Sequence, residues 1–156
     1  MALTRAYIGI GSNMDDPVRQ VRSAIEAVRA LGEVASVSSL YRTAPWGKLD
    51  QPEFINAAVA LDTHLRPRPL LHALKWLERE LGRDEQSERW GPRRIDFDIL
   101  AYGDERVDDG DLVIPHPRLH ERAFALVPLA EIAQSYAAMR DALSPLDRAG
   151  VISMER

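Results

Sequence analysis

Between Ile95 and Leu100 the chain reads Ile-Asp-Phe-Asp-Ile-Leu, an apolar residue alternating with a carboxylate. At the two-residue period of a β-strand, Ile95, Phe97 and Ile99 share one face and Asp96 and Asp98 the other. Such a strand constrains the fold: its apolar face must be packed, and its acidic face needs water or a compensating charge. Asp is depleted in strands, so two on one face of an otherwise core-like segment call for a partner. A solvated strand face is the simpler alternative. Two hard oxygen ligands side by side suit Mg²⁺, which takes one or two carboxylates plus substrate phosphates. Arg89, Arg93 and Arg94 lie just upstream, where guanidinium groups can meet phosphate oxygens.

The segments before this strand follow in a recognisable order. Ala6, Ile8 and Ile10 alternate with Tyr7 and Gly9, predicting a strand that ends in the turn formers Gly11, Ser12 and Asn13. Asp16 before Pro17 predicts an N-cap, and Val18, Val21, Ile25, Val28 and Leu31 recur at helical spacing up to Gly32. Val34 to Thr43 reads as a second strand, and residues 44–53, with two prolines and a glycine, as a loop. Alternation of Ile55, Ala57, Val59 and Leu61 predicts a third strand. Pro69 opens a second helix whose stripe is Leu70, Leu74, Leu77 and Leu81, closed by Gly82. A charged loop over 83–94 leads into the aspartate strand. The order predicts an α+β, ferredoxin-like βαββαβ core: an antiparallel sheet with helices on one face and the opposite face open to ligands. A helix from Glu121 to Ala133 opens a C-terminal helical extension, with weak signals after 134.

At 156 residues, 46% hydrophobic and 28% charged, the expectation is one soluble domain over 1–156. No leader pattern or membrane-spanning run is expected, which makes the cytoplasm the default location. The absence of cysteine excludes thiol catalysis and thiolate metal sites. A net charge of -4 speaks against broad adhesion to nucleic acid.

Several groups admit two readings. Arg83, Arg89, Arg93 and Arg94 are interleaved with acidic residues, as in an ordinary solvated loop, yet Trp90 and Pro92 are unusual there and suit a lid over a ligand. His116, flanked by Pro115 and Pro117, cannot form a helical metal pair with His120, so zinc is not expected; near Arg118 and Arg122 it is either a surface residue or a phosphate donor. His64 and His72 read as structural or incidental. Gly9 to Asn13 lacks the third glycine and the Gly-Lys-Ser/Thr of nucleotide loops. Trp46, Phe54 and Phe124 are packing residues or, with Asn56 nearby, a site for a flat heterocycle.

Arg89 to Leu100, Arg-Trp-Gly-Pro-Arg-Arg-Ile-Asp-Phe-Asp-Ile-Leu, closely resembles the signature of the 6-hydroxymethyl-7,8-dihydropterin pyrophosphokinases of folate biosynthesis. The Ile-Gly-Ser-Asn start, the segment from Tyr41 to Gly47, Asp50-Gln-Pro, Phe54 to Val59, Ile114 to Pro117 and Leu126 to Ala133 are similar in content and order, so the resemblance covers residues 6–133. It implies transfer of pyrophosphate from ATP to the pterin hydroxymethyl group, with release of AMP. It implies that Asp96 and Asp98 ligate two Mg²⁺ ions and that Arg83, Arg93, Arg122 and His116 handle the phosphates. Ile99 and Leu112 join the ATP contacts. Phe54 and Phe124 sandwich the pterin, Asn56 and Thr43 read its edge, and Trp46 and Trp90 come from loops over the site. Deprotonation of the hydroxyl by Asp98, or by a metal-lowered pKa alone, both stay open. Asp84, Glu85 and Gln86, Asp111, Pro117 and the region after Gln134 depart from the family pattern. A monomer acting on these two small molecules, without nucleic acid or membrane, is the expectation; a nucleic-acid-binding module and a catalytically silent relative are the alternatives.

Overall fold

The computed structural model describes residues 2–14, 16–43, 53–82 and 95–154. Its elements, in chain order, are β1 (Thr4–Ser12), α1 (Pro17–Val28), β2 (Glu33–Val37), β3 (Tyr41–Thr43), β4 (Phe54–Thr63), α2 (Pro67–Leu81), β5 (Asp96–Tyr102), β6 (Val107–Asp109), β7 (Leu112–Ile114), α3 (Ala123–Ile132), α4 (Ala137–Asp141), α5 (Pro145–Ala149) and β8 (Val151–Ser153). This is an α+β chain with an antiparallel sheet. Its main path is β5-β1-β4-β3-β8, with β2 also paired to β4, and β6 and β7 form a separate hairpin.

The helix signals in the sequence are realised with small shifts. Asp16 caps α1 through its side chain, which accepts from Arg19 N–H, and Pro17 takes the first helical position. α2 begins at Pro67, two residues before Pro69, because Pro67 and Pro69 both fit a first turn whose N–H groups have no helical partner. Gly82 ends it in right-handed geometry, so its missing side chain is not needed for a left-handed cap there.

The strands differ more. β1 runs through Gly11 and Ser12 rather than turning, because both sides are occupied: Gly11 lies opposite Asn56 on β4 and Asp96 on β5. The predicted second strand is broken into β2 and β3, both against β4. At the break Ser38 N–H donates to Ala58 O at 2.9 Å, and Ser38 Oγ accepts from Ala58 N–H at 2.8 Å. A serine side chain thus stands in for the ladder, which explains the weak alternation over Ser36 to Ser39.

Parity along the strands separates two cores. Ala6, Ile8, Ile10, Ile55, Val59, Leu61, Phe97 and Ile99 pack with Val21, Val28, Leu70 and Leu74 of α1 and α2. Ala58 and Leu100 on the other face pack with Leu126 and Leu129 of α3. The expectation of helices on one face therefore holds for α1 and α2, while α3 covers part of the second face, where Ala58 is small enough to admit it. The C-terminal extension is also not purely helical, since β8 pairs with β3.

Candidate functional site

The uncovered part of the second face is a cavity of about 430 Å³. Three adjacent strands build its floor by parity. β1 contributes Gly9 and Gly11, β4 Phe54 and Asn56, and β5 Asp96, Asp98 and Leu100; Thr43 of β3 and Arg122, Phe124 and Ala125 from the start of α3 also line it, as do Ile10 and Ala57 between the floor residues. Because Gly11 pairs with both Asn56 and Asp96, the amide and the carboxylate rows lie two strand spacings apart, about 10 Å. The glycines leave the floor between them flat.

On the β4 side sits an amide, Asn56, with Phe54 two residues before it on the same strand face. Asn56 is only 7% exposed, and its side-chain N–H donates weakly to Thr43 Oγ1 at 3.4 Å. Phe54 and Phe124, by contrast, are 38% and 36% exposed, an unusual state for side chains that could have been buried. Gly11 and Asn56 are sterically matched: a Cβ on Gly11 would stand 2.6 Å from Asn56 Oδ1.

On the β5 side Asp96 and Asp98 share the cavity with Arg122, whose guanidinium lies 5.7 Å from the Phe124 ring centre. A bulge places the histidine nearby. The β1–β5 register shifts between Tyr7 and Ile8, leaving Leu100 as the extra residue, and the Leu100 carbonyl accepts His116 N–H at 3.0 Å. His116 Nδ1 accepts from Arg118 N–H at 3.2 Å, so the neutral ring carries its proton on Nε2 and keeps that nitrogen as a donor. Burial lowers the His116 pKa; Asp98 opposes the shift, while Arg122 and Arg118 reinforce it. The imidazole thus feels both Asp98 and Arg122 without lining the cavity itself.

Of the residues singled out in the sequence, Thr43, Phe54, Asn56, Asp96, Asp98, Arg122 and Phe124 line this cavity, and His116 stands at its margin. Ile99 and Leu112 are buried in the core under α1 and α2, so their side chains do not reach it. Trp46, Arg83, Trp90 and Arg93, together with the predicted loops 44–53 and 83–94 apart from Glu53, lie outside the described residues. Sequence reasoning missed Gly9 and Gly11, although their parity, opposite to Ile8 and Ile10, already places them on the open face.

Fold and cavity together define an α+β protein with a recess lined by an amide, two half-exposed aromatics and paired carboxylates, with a cationic margin. The solved structures that share this fold include Plasmodium falciparum HPPK-DHPS with pterin and p-hydroxybenzoate, at a TM-score of 0.71 and 16% identity over 89% of this chain. The chain spans 43% of that protein. A 2-amino-4-hydroxy-6-hydroxymethyldihydropteridine pyrophosphokinase of Methylorubrum extorquens is 46% identical over 98% of this chain and the whole of the relative. Those of Pseudomonas aeruginosa and Bacillus subtilis are 44% and 45% identical, covering 84% and 83% of this chain and 82% and 78% of theirs. Residues 7–134 match the 7,8-dihydro-6-hydroxymethylpterin-pyrophosphokinase (HPPK) family, and the chain belongs to it.

Proposed function

We propose that this chain transfers the pyrophosphoryl group of ATP to the hydroxymethyl oxygen of 6-hydroxymethyl-7,8-dihydropterin and releases AMP, a step of folate biosynthesis. The observation that carries the reading is one cavity with a glycine floor, an amide on one side, two carboxylates on the other and two exposed aromatics in its lining, in a chain matching the family over residues 7–134. The roughly 10 Å between the rows suits a bicyclic ring with a one-carbon arm.

In this reading Phe54 and Phe124 stack on the pterin faces, and Asn56, held by Gly11 and Thr43, pairs with its edge. That orients the hydroxyl toward Asp96 and Asp98. The hydroxyl oxygen forms a bond to the β-phosphorus, and the bond from that phosphorus to the oxygen bridging to the α-phosphate breaks. AMP leaves with that oxygen, and the hydroxyl proton passes to Asp98 or to water. Arg122 and His116 Nε2–H donate to phosphate oxygens as charge shifts toward AMP, a contribution of positioning and electrostatics. Arg83, Arg93, Trp46 and Trp90 are assigned phosphate and lid roles by resemblance alone. Ile99 and Leu112 have core side chains, so any contact with the nucleotide must use their backbone N–H and C=O groups.

Asp96 and Asp98, two carboxylates on one strand face, fit Mg²⁺, whose remaining positions go to phosphate oxygens and water. Two ions are proposed; when bound they neutralise phosphate charge and lower the pKa of a coordinated hydroxyl. The strand path supports a ferredoxin-like core with its second strand split into β2 and β3. Coverage of 98% of the chain by one relative supports a single pyrophosphokinase domain. Among the described residues no helix is long and apolar enough to cross a membrane. The test is an assay of the purified chain with MgATP and the hydroxymethyl dihydropterin. AMP and the pterin pyrophosphate are expected; ADP as product, or no turnover, overturns the proposal.

A further inference from the structure

α3 reaches the site from both of its ends. Phe124 and Ala125 in its first turn line the cavity. Near its last turn, Glu131 extends its carboxylate across to the break between β2 and β3. Tyr41 O–H donates to Glu131 Oε1 at 2.5 Å, Ser39 N–H donates to both carboxylate oxygens at 3.0 Å, and Ser39 O–H donates to Oε2 at 3.1 Å. The Tyr41 ring is buried, and burial together with the bond to Glu131 raises its pKa above the ordinary tyrosine value.

The apolar contacts of Leu126 and Leu129 with Ala58 and Leu100 are non-directional and allow α3 to slide along the sheet. The Glu131 hydrogen bonds are directional and do not. Their effect is specific to β3. That strand is three residues long, with Tyr41 opposite Asn56 and Thr43 opposite Phe54. A link that pins Tyr41 therefore sets where Thr43 and Asn56 stand relative to Phe124 on the same helix.

We propose that Glu131 is a positioning residue for the heterocycle subsite, acting through Tyr41 to hold the Asn56–Thr43 edge at a fixed distance from Phe124. The inference rests on the pyrophosphokinase reading above and assigns a task to two residues outside the cavity. Steady-state AMP release by the full chain would be measured for Tyr41→Phe, Glu131→Ala, Glu131→Gln and the double variant Tyr41→Phe/Glu131→Ala, with thermal melts to establish folding. Loss of a charged hydrogen bond predicts that the KM for the pterin rises about tenfold in Tyr41→Phe and Glu131→Ala, while the KM for ATP and kcat stay within about twofold. The double variant should be no worse than the weaker single one, and Glu131→Gln should recover most of the loss, since its amide oxygen still accepts from Tyr41. A folded Tyr41→Phe enzyme with an unchanged pterin KM overturns the inference, as does an equal rise in both KM values, which would signal general loosening. If Glu131→Ala does not fold, Tyr41→Phe and Glu131→Gln decide alone. A parent chain that releases no AMP overturns the pyrophosphokinase reading first, and this inference with it.

Discussion

Gly11 offers the sharpest test of how the site is built, because one added methyl group has a computable target. An ideal Cβ there would lie 2.6 Å from Asn56 Oδ1, well inside contact distance, while the nearest backbone atom, Ile55 O, is 3.8 Å away. The main chain can therefore accept alanine, and the amide must turn aside. Turning it forfeits one or two hydrogen bonds to a bound heterocycle, about 1.5–3 kcal/mol, or roughly a 10- to 100-fold rise in pterin KM. Stability should change little, since the gain of about 0.5–1 kcal/mol from replacing a strand glycine offsets part of the strain on the displaced amide. Gly9 is the control. It lies on the same strand and face, but the atoms nearest its Cβ would be those of the Leu100 side chain, at 3.3 Å. Gly9→Ala should leave the pterin KM within about threefold. Steady-state kinetics on both variants, with thermal melts, measure this. A Gly11→Ala enzyme with the parent's pterin KM, or a Gly9→Ala enzyme equally impaired, would refute the claim that Gly11 exists to seat Asn56.

Asp96→Ala and Asp98→Ala should each lower turnover by roughly 10²-fold or more in the AMP-release assay; a near-normal rate removes that residue from the proposed metal site. Chelation of Mg²⁺ should abolish turnover yet leave the melting temperature of the nucleotide-free chain unchanged, because the ions are proposed to depend on phosphate oxygens. Mn²⁺ titration with a non-hydrolysable ATP analogue should count two ions, and one ion, or tight binding without nucleotide, would contradict the scheme. For His116 the folded-state pKa lies below the usual value, so the unfolded chain binds the extra proton in the window between the two. Stability therefore rises with pH through that window up to about 6.5, and denaturant melts across pH should show His116→Gln flattening the slope. Ile8→Ala, at a fully buried point of β1, should cost about 2–5 kcal/mol in the same melts.

Much of the site was legible because it obeys strand parity. The alternation over 95–100 placed Asp96 and Asp98 opposite Phe97 and Ile99, and in the structure those residues do face opposite sides of the sheet. Asn56 was legible for the same reason. What escaped depends on partners distant in sequence. No local pattern shows that Gly11 must be bare, since the atom it accommodates is 45 residues on, at Asn56. The link from Glu131 to Tyr41 joins residues 90 apart, and β8 pairs with a strand more than 100 positions earlier. α3 was expected as a helix but not on the ligand face. Leu126 and Leu129 find their partners, Ala58 and Leu100, only once the sheet exists.

Leu100 shows why parity alone falls short. Without a register shift, Ala101 would follow Ile99 onto the packed face and Tyr102 would join Leu100 on the ligand face. The bulge reverses both: Ala101 pairs with Tyr7 and Tyr102 with Ala6, so the Tyr102 ring enters the core and its hydroxyl donates to Leu65 O at 2.8 Å. The same extra residue directs the Leu100 carbonyl to His116 N–H. One irregularity thus anchors the end of β5 beside α2 and brings the histidine within reach of Asp98, linking packing to chemistry at a point where the amino-acid pattern shows only an unbroken run of Ile, Leu and Ala. Restoring strict pairing there would exchange a buried tyrosine for an alanine and release His116 together, so the bulge is held by the core as firmly as by the site.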